Sequence, residues 1–340
     1  MSTDQQGGLA GGLSPPSDLS NWLVCPQTWK ALTSLDAHLR RVVQPADPQL
    51  GQVARYLVLR GGKRVRPALL FLAATFGQFV HSRLLTAGTA LELIHVASLH
   101  HDDVIDRAPL RRNGASANAQ WGNQVAALAG NYLFARATSL LASLGETANQ
   151  LAAVGIANLC AGQLQEVENT FNLELDEQQH FEILRRKTAT LFTLPCHLGC
   201  RLAGVSTIQT TALLTYAREL GIAFQLADDT LDFIGSAERL GKATGRDLRE
   251  GVYSLPVLLA LHSSGQVAEE LNALLAQYTL TEADTIKAIR LVRESGAVHQ
   301  SLGVAREHAG RALAALSGLP NSLARRSLER LAEYVVLRSS

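Results

Sequence analysis

The stretch LLTYARELGIAFQLADDTLDF, residues 213–233, decides the fold class. Leu213, Ala217, Leu220, Phe224, Ala227 and Leu231 recur at intervals of three or four residues, the period of one helix face. Gly221, Gln225, Asp228 and Asp232 form a second stripe beside it. Burying the apolar stripe in a core leaves the polar stripe at the core's edge, where it lines a cavity and does not face open water. The arrangement recurs in ELIHVASLHHDDVID, residues 92–106, where His95, Ser98, Asp102 and Asp106 share one face.

Outward from these stretches the chain reads as one helix after another. The periodicity predicts helices over 28–43, 48–60, 64–79, 82–105, 116–143, 147–172, 177–202, 207–234, 254–276, 281–294, 297–317 and 321–338. Neither strand-type alternation nor a fixed-period repeat stands out, which favours an all-α bundle over a sheet or a solenoid. Residues 21–340 are expected to form a single helical domain, preceded by a disordered tail over 1–20. That tail, MSTDQQGGLAGGLSPPSDLS, has neither the basic start nor the apolar centre of a signal peptide.

Composition narrows the function. Hydrophobic residues make up 47% and charged residues 18%, which excludes long disorder. A net charge of +1 argues against general nucleic-acid binding, which needs a clustered basic surface. The apolar runs around 68–74 and 255–261 are far too short to span a membrane, so no transmembrane segment is expected. The four cysteines fit reduced thiols in the cytoplasm, and Cys196 and Cys200, beside His197, read as small buried residues and not as metal ligands.

The chemistry lies in the two acidic clusters, Asp102, Asp103 and Asp106 in the first and Asp228, Asp229 and Asp232 in the second. Carboxylates four apart on a helix repel. A hard divalent cation offsets that repulsion, and Mg²⁺ characteristically takes one or two carboxylates together with waters and phosphate oxygens. A metal-held diphosphate also needs fixed cations. Lys63, Arg64 and Arg66 follow the glycine pair Gly61–Gly62, Arg111 and Arg112 follow the first acidic cluster, Lys187 and Thr188 lie mid-chain, and Lys242 follows the second cluster. The segment from Gly235 to Lys242 misses the P-loop spacing by one residue, and Ala243 stands where Ser or Thr is needed.

These motifs together resemble the trans-isoprenyl diphosphate synthase family, over about residues 55–338. GGKRVRP (61–67), ELIHVASLHHDDVID (92–106), LRR (110–112), RRKTATLF (185–192), FQLADDTLDF (224–233), GRDLREG (245–251) and SLP (254–256) carry the likeness. The resemblance implies helices around a deep central cavity, a homodimer, and condensation of isopentenyl diphosphate with an allylic diphosphate. It implies three Mg²⁺ ions per site, held by Asp102, Asp103, Asp106 and Asp228 and supported by Asp229 and Asp232. It gives Arg111, Lys187 and Lys242 to the allylic diphosphate, Thr188 and Gln225 to the reacting centre beside it, and Gly62, Lys63, Arg66, His95 and Arg112 to isopentenyl diphosphate. The catalytic set is then Asp102, Asp103, Asp106, Lys187 and Asp228, and Gly235 to Tyr253 with Arg338 would close as a lid.

Some positions depart from the family pattern. Asn131 and Asn113 stand where Asp and Gly are usual, Val252 replaces a lysine, and the common GExxQ reads Gly162-Gln163-Leu164-Gln165-Glu166. Small residues at Ala97 and Ser98, one turn before Asp102, leave out the aromatic floor of short-chain members. A helical turn of about 5.4 Å is comparable to one isoprene unit, which points to a product of roughly C30 to C50. A class I terpene cyclase would need no second diphosphate site, so GGKRVRP argues against it. A subunit of a heteromeric synthase is the other alternative. The site is expected in the cytoplasm, with peripheral membrane contact for product release.

Overall fold

A computed structural model of the chain describes residues 17–44, 47–112, 114–234, 245–277 and 279–337. Lys242, Asn113 and Arg338, and with them much of the expected lid, lie outside the described residues. Helix starts follow local chemistry. Helix α1 (Pro26–Val42) opens on a proline, which has no N–H to leave unpaired. Helix α2 (Pro48–Leu59) adds a cap, with Asp47 accepting from the Leu50 N–H at 2.7 Å. Helix α3 (Val65–Ala74) follows Arg64, whose φ of 48° is left-handed. Helix α4 (His81–Ile105) carries the first acidic cluster at its end.

A two-residue hairpin, β1 (Leu110–Arg111) and β2 (Gly114–Ala115), leads to α5 (Ala117–Trp121), α6 (Asn123–Ala142) and α7 (Glu146–Glu168). Helix α8 (Glu177–Leu184) starts with a capping box between Asp176 and Gln179. It runs through a π-helical turn, Arg185–Ala189, into α9 (Thr190–Ala203). Helix α10 (Thr207–Ile234) carries the second acidic cluster. The remainder is α11 (Arg246–Arg249), α12 (Leu255–Leu261), α13 (Gln266–Leu275), α14 (Glu282–Glu294), α15 (Ala297–Ala315) and α16 (Leu323–Leu337).

The fold is all-α, with α3 at its centre. Every residue from Pro67 to Ala74 is buried, and α3 packs between α4 and α9. At Gly199 the two backbones touch, since a side chain there would run into the Leu70 carbonyl. Helix α10 packs along α15, and the Tyr216 hydroxyl donates to the Leu328 carbonyl of α16 at 2.7 Å. Along the α10 stripe Leu213, Ala217, Leu220 and Ala227 are buried, whereas Phe224 and Leu231 are half-buried.

Several expectations are corrected. The hairpin is too short for alternation to reveal it, and Gly122, at φ 84°, splits the helix expected over 116–143. Gly265, at φ 114°, likewise separates α12 from α13. The expected tail ends too late, because Ser17–Asn21 forms a 3-10 helix with Leu19 buried. Helix α6 is long and apolar enough by composition to cross a membrane, with mean hydropathy 1.2. Its Leu133, Ala137 and Leu141 are nevertheless buried in the core shared with α4.

Replacing Gly199 by alanine should overpack the α3–α9 contact and lower stability by roughly 1–3 kcal/mol. Thermal unfolding followed by circular dichroism measures this as a drop of several degrees, and an unchanged midpoint would show that the two helices separate freely.

Candidate active site

The C-terminal half of α4 presents the first acidic cluster to the bundle interior. Burial pushes the Asp102 carboxyl up to about 6, with Lys187 and Arg111 opposing and Asp106 and Glu166 adding to the rise. Burial likewise raises Asp106. A cavity of about 160 Å³ opens beside them, lined by Asp106, Glu166, Lys187, Thr188, Gln225, Asp229, Asp247 and Glu250. The structure thus brings the two acidic clusters and the Lys187–Thr188 pair to one cavity.

Asp103 and Asp228 stand in surroundings different from those of their neighbours Asp102 and Asp229. Asp103 is fully buried, and its Oδ1 accepts from Arg111 Nε at 2.7 Å and Nη2 at 2.5 Å. The pairing with Arg111 offsets the burial of Oδ1, while Oδ2 is buried without a hydrogen-bond partner. In the second cluster Asp229 lines the cavity, while Asp228 is exposed and Asp232 half-buried. Asp229 accepts from Gln225 Nε2 at 2.8 Å, and Gln225 Oε1 accepts from Thr188 Oγ1 at 2.9 Å. Burial pushes Asp229 well up, with Asp247 and Asp228 adding to it, and lifts Asp247 to about 7.

Lys187 reaches the cavity because of the π turn. This wider turn is wedged between glycines of two helices. A Cβ at Gly162 of α7 would lie 2.5 Å from the Lys187 backbone nitrogen, and one at Gly221 of α10 would lie 2.7 Å from Ala189 Cα. Such π bulges recur at functional sites, where they re-aim side chains. Lys187 Nζ donates to Glu166 Oε1. Burial alone would lower the lysine's pKa, but Glu166, Asp102 and Asp106 together raise it.

A second set of polar groups gathers on the other side of Asp102. Arg66 is half-buried with its Nε unpartnered, and its guanidinium lies 5.9 Å from the Phe192 ring centre. Burial pushes Arg66 down to about 10, with Glu92 and Asp102 opposing and Arg112 reinforcing. Burial and Arg66, Arg112, Arg111 and Arg64 hold His95 well below its usual value, so it is neutral, and its Nδ1 lacks a partner. Arg112 donates to the carbonyls of Leu57, at 2.6 Å, and Gly61, and it covers Gly62, where a Cβ would meet Nη2 at 2.9 Å. Lys63 is exposed. Arg64 is tied to Glu92 at 2.5 Å and Asp36 at 3.0 Å, so it is already partnered.

The donor set fits a divalent metal shared with a phosphate. Among the described residues no three His, Cys, Asp or Glu side chains converge as a cage, so the protein alone does not complete a shell. The half-buried Asp102, Asp106, Asp229 and Asp247 are all pushed toward their neutral forms, chiefly by desolvation and partly by neighbouring carboxylates. Oxygen donors of this type suit Mg²⁺.

Sequence reasoning missed Glu166, Asp247, Glu250 and Arg246. Arg246 donates to Glu250 at 2.7 Å and to the Asp106 carbonyl at 3.4 Å, which ties α11 to the end of α4. The Asp247 and Glu250 carboxylates lie in the GRDLREG motif, and only their shared cavity reveals a role. Ala97 and Ser98 are both buried, with Ser98 Oγ donating to the His95 carbonyl at 2.9 Å, and neither lines this cavity.

Comparison with known proteins agrees with this geometry. The sequence profile of the polyprenyl synthetase family matches residues 47–292, and the chain belongs to that family. It is 37% identical over 305 residues to heptaprenyl diphosphate synthase component 2 of Geobacillus stearothermophilus, covering 89% of this chain and 94% of that one. It is also 37% identical over 305 residues to nonaprenyl diphosphate synthase of Mycobacterium tuberculosis, covering 89% and 90%. The crystal structure of polyprenyl synthase from Caulobacter crescentus, complexed with calcium and isoprenyl diphosphate, superposes with a TM-score of 0.87 at 34% identity, over 92% of this chain and 96% of that one.

Because a side chain at Gly162 meets backbone, Gly162→Ala should shift the π turn and with it Lys187. A displacement near 1 Å at such a group reduces turnover on the order of a hundredfold. Steady-state rates and far-UV circular dichroism on one preparation test this, with lost activity and retained helicity expected.

Proposed function

We propose that the protein is a chain-elongating prenyltransferase that joins isopentenyl diphosphate head-to-tail, in the E configuration, to an allylic diphosphate. The observation that carries this reading is the pairing of an acidic cavity containing Lys187 with a separate group formed by the half-buried Arg66 and Arg112 and a neutral histidine. A class I cyclase has no use for that second group.

Asp102, Asp106 and Asp229 would hold Mg²⁺, with Asp247 and Asp232 beside them. The metal, when bound, neutralises charge on the departing diphosphate. Lys187 and Lys242 hold that diphosphate and stabilise the charge that develops as the C–O bond breaks. Arg111, fixed by Asp103, flanks it. Lys63, Arg66, Arg112 and His95 hold isopentenyl diphosphate so that its double bond faces the cationic carbon. Phe192 and Phe224, with ring centres 5.2 Å apart, help keep water from that carbon. The proton lost at the end passes to the departed diphosphate.

We read the product as roughly C30 to C50, on the argument that Ala97 and Ser98 set no floor at that helical turn. The relatives named heptaprenyl and nonaprenyl diphosphate synthase support this range. A homodimer is the assembly we favour, because Leu128 of α6 and Val154, Leu164 and Val167 of α7 are exposed apolar side chains on adjacent helices. The relative named component 2 keeps a two-polypeptide enzyme as the second reading. An apolar product of this length favours release at a membrane surface from a cytoplasmic enzyme.

EDTA should abolish turnover of purified protein given labelled isopentenyl diphosphate and a primer, and Mg²⁺ should restore it. Asp102→Ala and Asp106→Ala should each lower kcat by roughly a thousandfold, against roughly tenfold for Asp103→Ala, which acts through Arg111. Equal losses at all three would return Asp103 to the metal.

Arg66→Ala and Arg112→Ala should mainly raise KM for isopentenyl diphosphate, each removing a charged contact of ~1.5–3 kcal/mol, and Lys242→Ala should mainly affect the allylic substrate. Kinetics with each substrate varied distinguish the two sites, and the reverse pattern would exchange them. Ala97→Phe or Ser98→Phe should shorten the product toward C15 or C20. Product sizing decides, and unchanged lengths in two folded variants would move the floor to another helix.

A further inference from the structure

Glu166 has no part in the reaction as proposed, yet it occupies a central place in the cavity. It projects from α7, whereas the acidic clusters belong to α4 and α10. Its charge reaches both, since it adds to the upward shifts of Asp102 and Asp106 on one side and of Asp229 and Asp247 on the other. An acid at that point increases repulsion that is already unfavourable in a water-poor site. Among the described residues it is paired with Lys187, whose Nζ donates to Glu166 Oε1. Gln163 Nε2 donates to the same oxygen at 3.4 Å and helps to aim the carboxylate.

The lysine that is read as the diphosphate ligand is therefore already bound to an anion belonging to the chain. We propose that Glu166 is a positioning residue that occupies the anion-binding face of Lys187 in the substrate-free protein, so that a diphosphate displaces it only when accompanied by metal. This rests on the reading that Lys187 holds the allylic diphosphate.

The physical argument concerns charge. A bare diphosphate entering the cavity meets Asp102, Asp106, Asp229 and Glu166 at once, and Lys187 is already neutralised. A metal-loaded diphosphate brings its own positive charge, which the carboxylates attract, and it offers Lys187 several oxygens in place of one. Once the pair opens, Glu166 faces the incoming cation and no longer faces the lysine alone. Glu166 thus makes occupancy by diphosphate conditional on metal, which keeps free diphosphate from blocking the site.

Isothermal titration of the full-length protein with inorganic pyrophosphate, in EDTA and in Mg²⁺, tests this without turnover. Glu166→Gln keeps the shape and removes the charge. Metal-free affinity should rise roughly tenfold, as expected for one fewer negative charge at this range, and the ratio of affinities with and without Mg²⁺ should shrink. A purely structural role predicts weaker binding in both conditions, and unchanged or weaker metal-free binding overturns the proposal.

Lys187→Gln separates the two readings. If it binds pyrophosphate in Mg²⁺ as tightly as the parent, the assignment of Lys187 fails. If it binds weakly while Glu166→Gln shows no metal-free gain, only the role of Glu166 fails. In the double variant the gain should vanish, and its survival would show that Glu166 does not act through Lys187. Should Glu166→Gln not fold, Glu166→Ala, which also removes the charge, carries the same test, with a rise expected and no rise overturning the proposal.

Discussion

Carboxylates held together in a half-buried cleft are the constraint on which this structure depends. Asp102, Asp106, Asp229 and Asp247 are all displaced toward their neutral forms, chiefly by burial and partly by one another. Isolated buried carboxylates are strongly unfavourable, and these persist because the surrounding helices are packed well enough to hold them. Ion pairs supply opposing charge around them. Lys187 answers Glu166, Arg111 answers Asp103, and Arg246 answers Glu250.

Holding such a site requires helices that approach closely, and glycine makes that possible. Gly162 and Gly221 let α7 and α10 close on the π turn, while Gly199 lets α9 rest on α3. The π turn then serves both neighbours. It sends Lys187 toward Asp102 and Asp106, and its next residue, Thr188, bonds Gln225 and through it Asp229. One irregular turn in a helix thus joins the two acidic clusters, something an unbroken α-helix over the same residues would not do with the same side chains.

The parts of the fold legible in the sequence were those with a long period. The α10 stripe and the acidic face of α4 could be read because each extends over several turns. The hairpin at Leu110–Ala115 and the π turn at Arg185–Ala189 span too few residues to carry a period, so they were invisible. In the site, residue type announced the aspartates but not their division of labour. Asp102 and Asp103 are adjacent, and a step of about 100° around the helix puts one beside the cavity and the other under Arg111. The role of Glu166 was hidden for another reason: on α7 it stands among polar residues such as Gln163, Gln165 and Glu168, and only the fold sets it opposite Lys187.

The divergence of Arg111 and Arg112 depends on a single backbone feature. Arg111 and Arg112 are neighbours, and in an extended strand their side chains would already point to opposite faces. Here Arg112 also takes a left-handed conformation, at φ 50°, in the turn of the hairpin. Its guanidinium turns back to the carbonyls of Leu57 and Gly61, whereas that of Arg111 runs to Asp103. For a side chain as large as arginine that conformation is unfavourable, and the two carbonyl contacts offset it. The same contacts place Arg112 over Gly62, where any side chain would collide with it. The glycine pair before Lys63 and the left-handed arginine after the first acidic cluster are therefore parts of one construction, which directs Arg112 to backbone carbonyls while Arg111 holds Asp103.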